Sequence, residues 1–191
     1  MALYCTPLTG NINKLCLGQR RGGLNAVIYV ANFGEVTDIS STTNDKNMDT
    51  ITMAIDPLTT NPYFWYQIAF KKNTAGLNNE VAFGNNIFTN QTITFTIEGL
   101  TAASLAVLEQ MIEGEAVFIA KDYQGQANIL GRIGGLTCSA MAVGTGTAAD
   151  DLYGGTITFS SEEPELSNVV TPGTTIEVLN ADGITIDTIT L

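Results

Sequence analysis

Three groups of side chains in this 191-residue sequence have types and spacings that could do chemistry. Gly144-Thr-Gly146-Thr-Ala-Ala149 follows a predicted strand and matches the Gly-x-Gly-x-x-Gly/Ala spacing that wraps a dinucleotide pyrophosphate. That chemistry needs a helix N-terminus next, with free amides pointing at the phosphates. Asp150-Asp151-Leu-Tyr-Gly-Gly155 follows instead, turn-like and anionic, so a hairpin loop is the better account. Asp45 and Asp49, Asp150 and Asp151, and Asp182 offer hard oxygen ligands of the kind calcium takes, but none has EF-hand spacing. Aspartates that close turns explain them. Glu162, Glu163 and Glu165 could form a general acid–base cluster. A run of acids beside Pro164 reads more simply as a solvated linker.

The chain has no histidine, which removes Ser-His and Cys-His pairs, imidazole metal ligands and the usual general base. Carboxylate or lysine enzymes remain conceivable, but the expectation is a protein that is not an enzyme and takes no cofactor or metal. Cys5, Cys16 and Cys138 lack Cys-x-x-Cys spacing and read as reduced thiols, with a Cys5–Cys16 disulfide the less favoured alternative. Tyr63, Phe64, Trp65 and Tyr66 could stack on sugars or bases. Adjacent strand residues point to opposite faces, so two should face the core and two a subunit interface. Asn90-Gln-Thr92 is a glycosylation sequon that matters only in a secreted protein.

The apolar share is 45%, enough for a packed core, and the net charge is −11 from 19 acidic and 8 basic side chains. Such a surface repels phosphate, so gripping nucleic acid through counterion release is not expected. Repulsion suits a channel wall that lets DNA pass without sticking, although acidity also serves solubility alone. The N-terminus lacks the basic and apolar regions of a signal peptide, and no apolar run approaches the ~20 residues of a membrane helix. The expected protein is soluble and made in a cytoplasm.

The elements that must carry these residues are mostly strands. Ala26–Asn32 is a continuous apolar, β-branched run of buried-strand type, and residues 33–39 continue it or start a second strand. Ser40–Asp49 is a polar loop or hairpin tip, and Ile51–Ile55 alternates beyond it. Strands are also predicted at Tyr63–Lys72, Val81–Phe83, Gln91–Glu98, Ala116–Lys121, Ala127–Leu130, Leu136–Val143 and Thr156–Ser160, with a turn at Thr74–Asn79. One helix is predicted over about 101–113: Thr101 can cap it, Leu105, Leu108, Met111 and Ile112 share a face, and Gly114 ends it. After the acidic–proline run, Thr175–Leu179 and Ile184–Leu191 flank Asn180-Ala-Asp-Gly183 as a hairpin, which must dock on its own domain or on a neighbouring subunit. The expected architecture is mainly β: an antiparallel sandwich or partly closed barrel with one flanking helix and a C-terminal hairpin. The division is an arm at 1–25, a domain at 26–165 and an extension at 166–191.

The late region, EAVFIAKD followed by LGRIGGLTCSAMAVGTGTAADDLYGGTITFSSEEPE, resembles bacteriophage tail-tube-type proteins, in which a Gly-rich loop and an Asp/Gly step lead into a strand and an acidic–Pro segment. The opening, GNINKLC, then GG, then IYVANFGEVT, is similar to ring or tube subunits from phages of gut Bacteroidetes, crAss-like phages among them. The resemblance spans about residues 10–165, and the tail at 168–191 departs from a minimal tube protein. It implies a sandwich whose sheets join between neighbours into a β-barrel ring, a long loop reaching the adjoining ring, and an acidic lumen. The protein would then be a virion structural subunit of the tail tube or head–tail neck, in a hexameric or dodecameric ring around the DNA channel. Its partners would be copies of itself and adjacent ring, portal or tail proteins, with no membrane and no sequence-specific nucleic acid binding. The interface residues expected on this reading are Asn44, Asp45, Lys46, Asn47 and Met48 in the loop, Trp65 and Tyr66, and Ile184, Ile186 and Ile189 in the hairpin. The competing expectation is a carbohydrate- or receptor-binding sandwich working through Trp65 and its neighbours.

Overall fold

The structure, a computed structural model, describes residues 22–43, 46–83, 86–99, 101–147, 151–179 and 186–191, the side chain of Ala26 excepted. The order begins with β1 (Leu24–Asn32), a 3₁₀ turn (Phe33–Glu35), β2 (Val36–Ser40), β3 (Asn47–Met48) and β4 (Thr50–Met53). β5 (Trp65–Ala69), β6 (Gly76–Phe83) and β7 (Ile87–Glu98) lead to α1 (Ala102–Glu113). β8 (Ala116–Asp122), β9 (Ala127–Leu130), β10 (Thr137–Gly144) and β11 (Gly154–Glu163) follow, then β12 (Asn168–Val170), β13 (Thr175–Leu179) and β14 (Ile186–Thr190).

The fold is mainly β, as the alternation and the scarcity of helical segments imply. An eight-stranded sheet in the order β14-β13-β5-β1-β8-β9-β12-β3 curls into a half-barrel. A four-stranded sheet, β10-β11-β7-β6, packs against one of its faces, and the β2–β4 hairpin forms a third, two-stranded sheet. β8 shows why a central strand carries apolar residues at successive positions, Ala116 to Ala120. Ala116, Phe118 and Ala120 enter the core shared with Ile93, Phe95, Ile157 and Phe159 of the four-stranded sheet. Val117 and Ile119 enter a second core with Trp65, Ile129, Val170 and Val178. A strand buried on both faces cannot alternate with polar residues. Each large side chain among them contributes about 1.5–3 kcal/mol of burial, and the Phe118 and Phe159 rings meet with centroids 4.9 Å apart.

The helix starts where its cap residues dictate. The Thr101 hydroxyl accepts from Ser104 N–H, and the Ser104 hydroxyl accepts from Thr101 N–H, a reciprocal capping box. Leu108 is buried and Met111 packs beside it, but most of the helix surface faces outward.

Three expectations need correcting. Thr74–Asn79 is not a turn: β6 begins at Gly76, because the chain reverses earlier, with Asn73 in the left-handed region (φ 68°) and Thr74 N–H bonded to Lys71 O. Glu162 and Glu163 do not start a solvated linker: both belong to β11, and Glu163 is 1% exposed. Residues beyond 166 are not set apart from the domain. β12 pairs with β9 and β3, β13 runs parallel to β5 with Val178 opposite Trp65, and Ile176, Val178 and Leu191 are buried in the second core. The alternating run Thr175–Leu179 had an apolar face to bury, and the open edge beside β5 accepted it.

Candidate assembly surfaces

Both edges of the four-stranded sheet, β10 and β6, lack a strand partner among the described residues, and each is eight residues long. Long free edges are templates for another chain, which natural proteins normally blunt with lysine, proline or a covering element. Neither strand contains Lys, Arg or Pro. Successive pairings in this sheet are all antiparallel, so β10 and β6 run in opposite directions. A second copy laid edge to edge therefore continues the alternation.

The two faces of this sheet differ in chemistry. The inner face supplies Ile93, Phe95, Ile157 and Phe159 to the core. The outer face carries Thr92, Thr94, Thr96, Thr156, Thr158 and Ser160, paired across β7 and β11. The hydroxyls of Thr94 and Thr158, and of Thr96 and Thr156, lie 3.1 Å apart. Glu80, Glu98 and Glu162 share that face by register, and none of its four strands carries a Lys or Arg. The face is hydroxyl-rich and acidic, with Lys71 meeting Glu98 at the rim.

Two apolar patches stand near these edges. At the end of β6 and the start of β7, Phe83 is 81% and Ile87 67% exposed, with Val81 exposed beside them. Leu105 and Ile112 are exposed on one side of α1, while Val107 is exposed on the opposite side, toward the β1–β5 face. A groove of about 650 Å³ runs between α1 and the β1–β5 face, lined by Val107, Met111, Val30, Ile68 and Tyr66.

A polar node holds the opposite flank. Glu165 accepts from Lys46 on one carboxylate oxygen (2.5 Å) and from Arg132 Nε (3.0 Å) and Nη2 (2.5 Å) on the other. Arg132 also donates to Ile39 O, and buried Gln91 bonds both Glu165 O and Gly131 N–H. Buried Asn168 is best satisfied with its amide nitrogen toward Leu166 O and Glu165. Burial pushes the Glu165 carboxyl up, but the hydrogen bonds and charges of Lys46 and Arg132 outweigh it and hold the group below its ordinary value. Glu163 accepts from Gly134 N–H at 2.9 Å. Gly131 is obligatory here: it sits at φ 73°, and a Cβ would fall 2.3 Å from Leu136 Cδ1.

Against protein-family models, curated proteins and solved structures, the chain matches none.

The residues singled out from sequence divide sharply. Asn44, Asp45 and Ile184 lie outside the described residues, as do Cys5, Cys16, Asp150 and Asp182. Trp65 is 0% exposed and Met48 is buried, so neither side chain reaches a surface, and Ile189 packs against the second core. Alternation put them inward: Trp65 and Tyr66 are neighbours in β5, and only Tyr66 is exposed. Ile186 and Asn47 are exposed. Lys46 is folded back onto Glu165 rather than reaching outward, and β3 pairs in parallel with β12. Asp49 and Asp151 close turns by accepting from Thr42 and Thr147. Among the described residues no cluster of three metal-ligating side chains occurs, and no helix is long and apolar enough to cross a membrane. Phe83, Ile87, Arg132 and Gln91 escaped the sequence reading. Phe83 and Ile87 had a signal, two apolar residues flanking Gly84-Asn-Asn86, whereas Arg132 and Gln91 had none.

Proposed function

We propose that this protein is a structural subunit that closes into a hexameric or dodecameric ring around a DNA channel, as in a phage tail tube or head–tail neck. The observation that carries the reading is the four-stranded sheet, whose two edge strands have no strand partner among the described residues and whose acidic outer face has no Lys or Arg on its strands. Edge-to-edge pairing of β6 with β10 of the next copy would turn these sheets into one closed barrel, which removes the edges altogether. Six copies bring roughly 24 strands, a circumference of about 115 Å at ~4.8 Å per strand before tilt widens it. That bore clears a DNA duplex. The hydroxyl and carboxylate face would line it, and its strands offer phosphate no cation to hold.

The location would be the virion, with neighbouring rings, portal or tail proteins as partners. The glycan-binding alternative loses Trp65, whose indole is buried, and keeps only exposed Tyr66 from that strand as a stacking ring. Native mass spectrometry with negative-stain microscopy of the purified chain tests the proposal. Six- or twelve-fold rings, or stacked tubes, are expected. A monomer at every concentration overturns it.

A further inference from the structure

The apolar tip and the exposed face of α1 are explained by neither core, yet they lie at corresponding ends of the two free edges. Phe83 pairs with Ile87, and Glu163, at the same end of the sheet, pairs with Thr89. Thr137, the first residue of β10, sits opposite Ser160 near that end. Leu136 bridges to Ala116, just past the C-terminus of α1. Paired residues in an antiparallel ladder point to one face, so Val81, Phe83 and Ile87 share the side of Ile93, the core side. On that same side α1 packs against β10, with Leu108 and Met111 in the core beside Cys138 and Met141.

We infer that, when β6 of one copy pairs with β10 of the next, the Val81–Phe83–Ile87 tip lands on the exposed apolar face of the partner's helix, at the Ile112 end. The inference rests on the ring reading above and adds a second, side-chain interface to the strand pairing. The occupant is another copy of this chain, because one molecule carries both halves on different surfaces. A tip on one flank and a helix face on the other make a heterologous contact, the kind that closes rings. The two patches lie on different flanks of one molecule, and pairing them removes both from water. With the strand pairing they would form the apolar centre of an interface whose rim is polar. The contact also accounts for Phe83 and Ile87 standing exposed side by side at the end of the β6–β7 ladder.

The test uses the full chain with Phe83→Asp or Ile112→Asp, both at exposed positions, with circular dichroism to verify the fold. Each variant alone should fail to form rings by native mass spectrometry. Mixed in equal amounts they should form a heterodimer and nothing larger. The Phe83→Asp chain still offers an intact helix face and the Ile112→Asp chain an intact tip, so one contact forms and both outer ends are blocked. Rings that persist in either variant, or a mixture that stays monomeric, overturn this contact while wild-type rings leave the ring reading standing. A wild-type chain that never forms rings overturns both.

Discussion

Glu165 joins stretches of chain that are far apart in sequence: Arg132 Nη2 and Lys46 Nζ each lie 2.5 Å from a different oxygen of its carboxylate. The Arg132 contact is the more sheltered, since the Lys46 side chain is half exposed and its pairing correspondingly weak. Glu165→Gln keeps the shape and removes the charge that Arg132 needs. The expected loss is about 1–3 kcal/mol, mostly from stranding the guanidinium. It should appear as a lower urea midpoint at neutral pH with unchanged m-value. An unaltered midpoint would show that the node is decorative.

The same carboxylate gives the stability a direction with pH. Its folded pKa is lowered, so its contribution is complete above the unfolded glutamate value of about 4.3 and disappears as pH falls through the folded value. The stability gap between wild type and Glu165→Gln should therefore be full at pH 7 and shrink on acidification below about pH 4. Urea titrations at a series of pH values measure it. A gap independent of pH would assign the effect to packing rather than to ionisation.

Much of this fold was legible because local signals agreed with the tertiary outcome. AVIYVAN and EAVFIAKD read as buried strands since both faces of β1 and β8 meet a core, and Thr101 marked the helix start through its own hydroxyl. The charged node was illegible for the opposite reason. Glu165 beside Pro164 looks like linker until Arg132 and Lys46 arrive from 33 and 119 residues away, and no local pattern encodes that meeting. The surface role expected of Trp65 failed at a one-residue choice of face: period-2 alternation says that Trp65 and Tyr66 diverge, not which of them goes inside.

Trp65 allows a direct separation of assembly from glycan binding. Because its side chain is fully buried in the second core, Trp65→Ala should cost about 3–5 kcal/mol and lower the thermal midpoint markedly. Tyr66→Ala, one residue along and exposed, should change stability far less. Differential scanning calorimetry on the pair provides the comparison. Equal small losses would place the indole at a surface and revive the binding platform.

The outer face of the four-stranded sheet is the feature on which the channel reading can be pressed hardest. Thr94 and Thr158 lie side by side at its centre, on a surface whose strands carry no cation. Replacing both with lysine introduces positive charge where the lumen is proposed. Rings of the Thr94→Lys, Thr158→Lys chain should then retain duplex DNA at low salt, with log affinity falling linearly against log salt concentration. The wild-type ring should retain none. The control places the same two charges at Ala103 and Ala106, on the exposed surface of α1, where linear duplex would meet them only from outside the ring. If the helix variant retains DNA as tenaciously as the sheet variant, through competitor challenge and washing, the threonine face is not the channel wall. Slow release from the sheet variant alone, accelerated when the DNA is cut short enough to slide out, is the behaviour expected of a threaded ring.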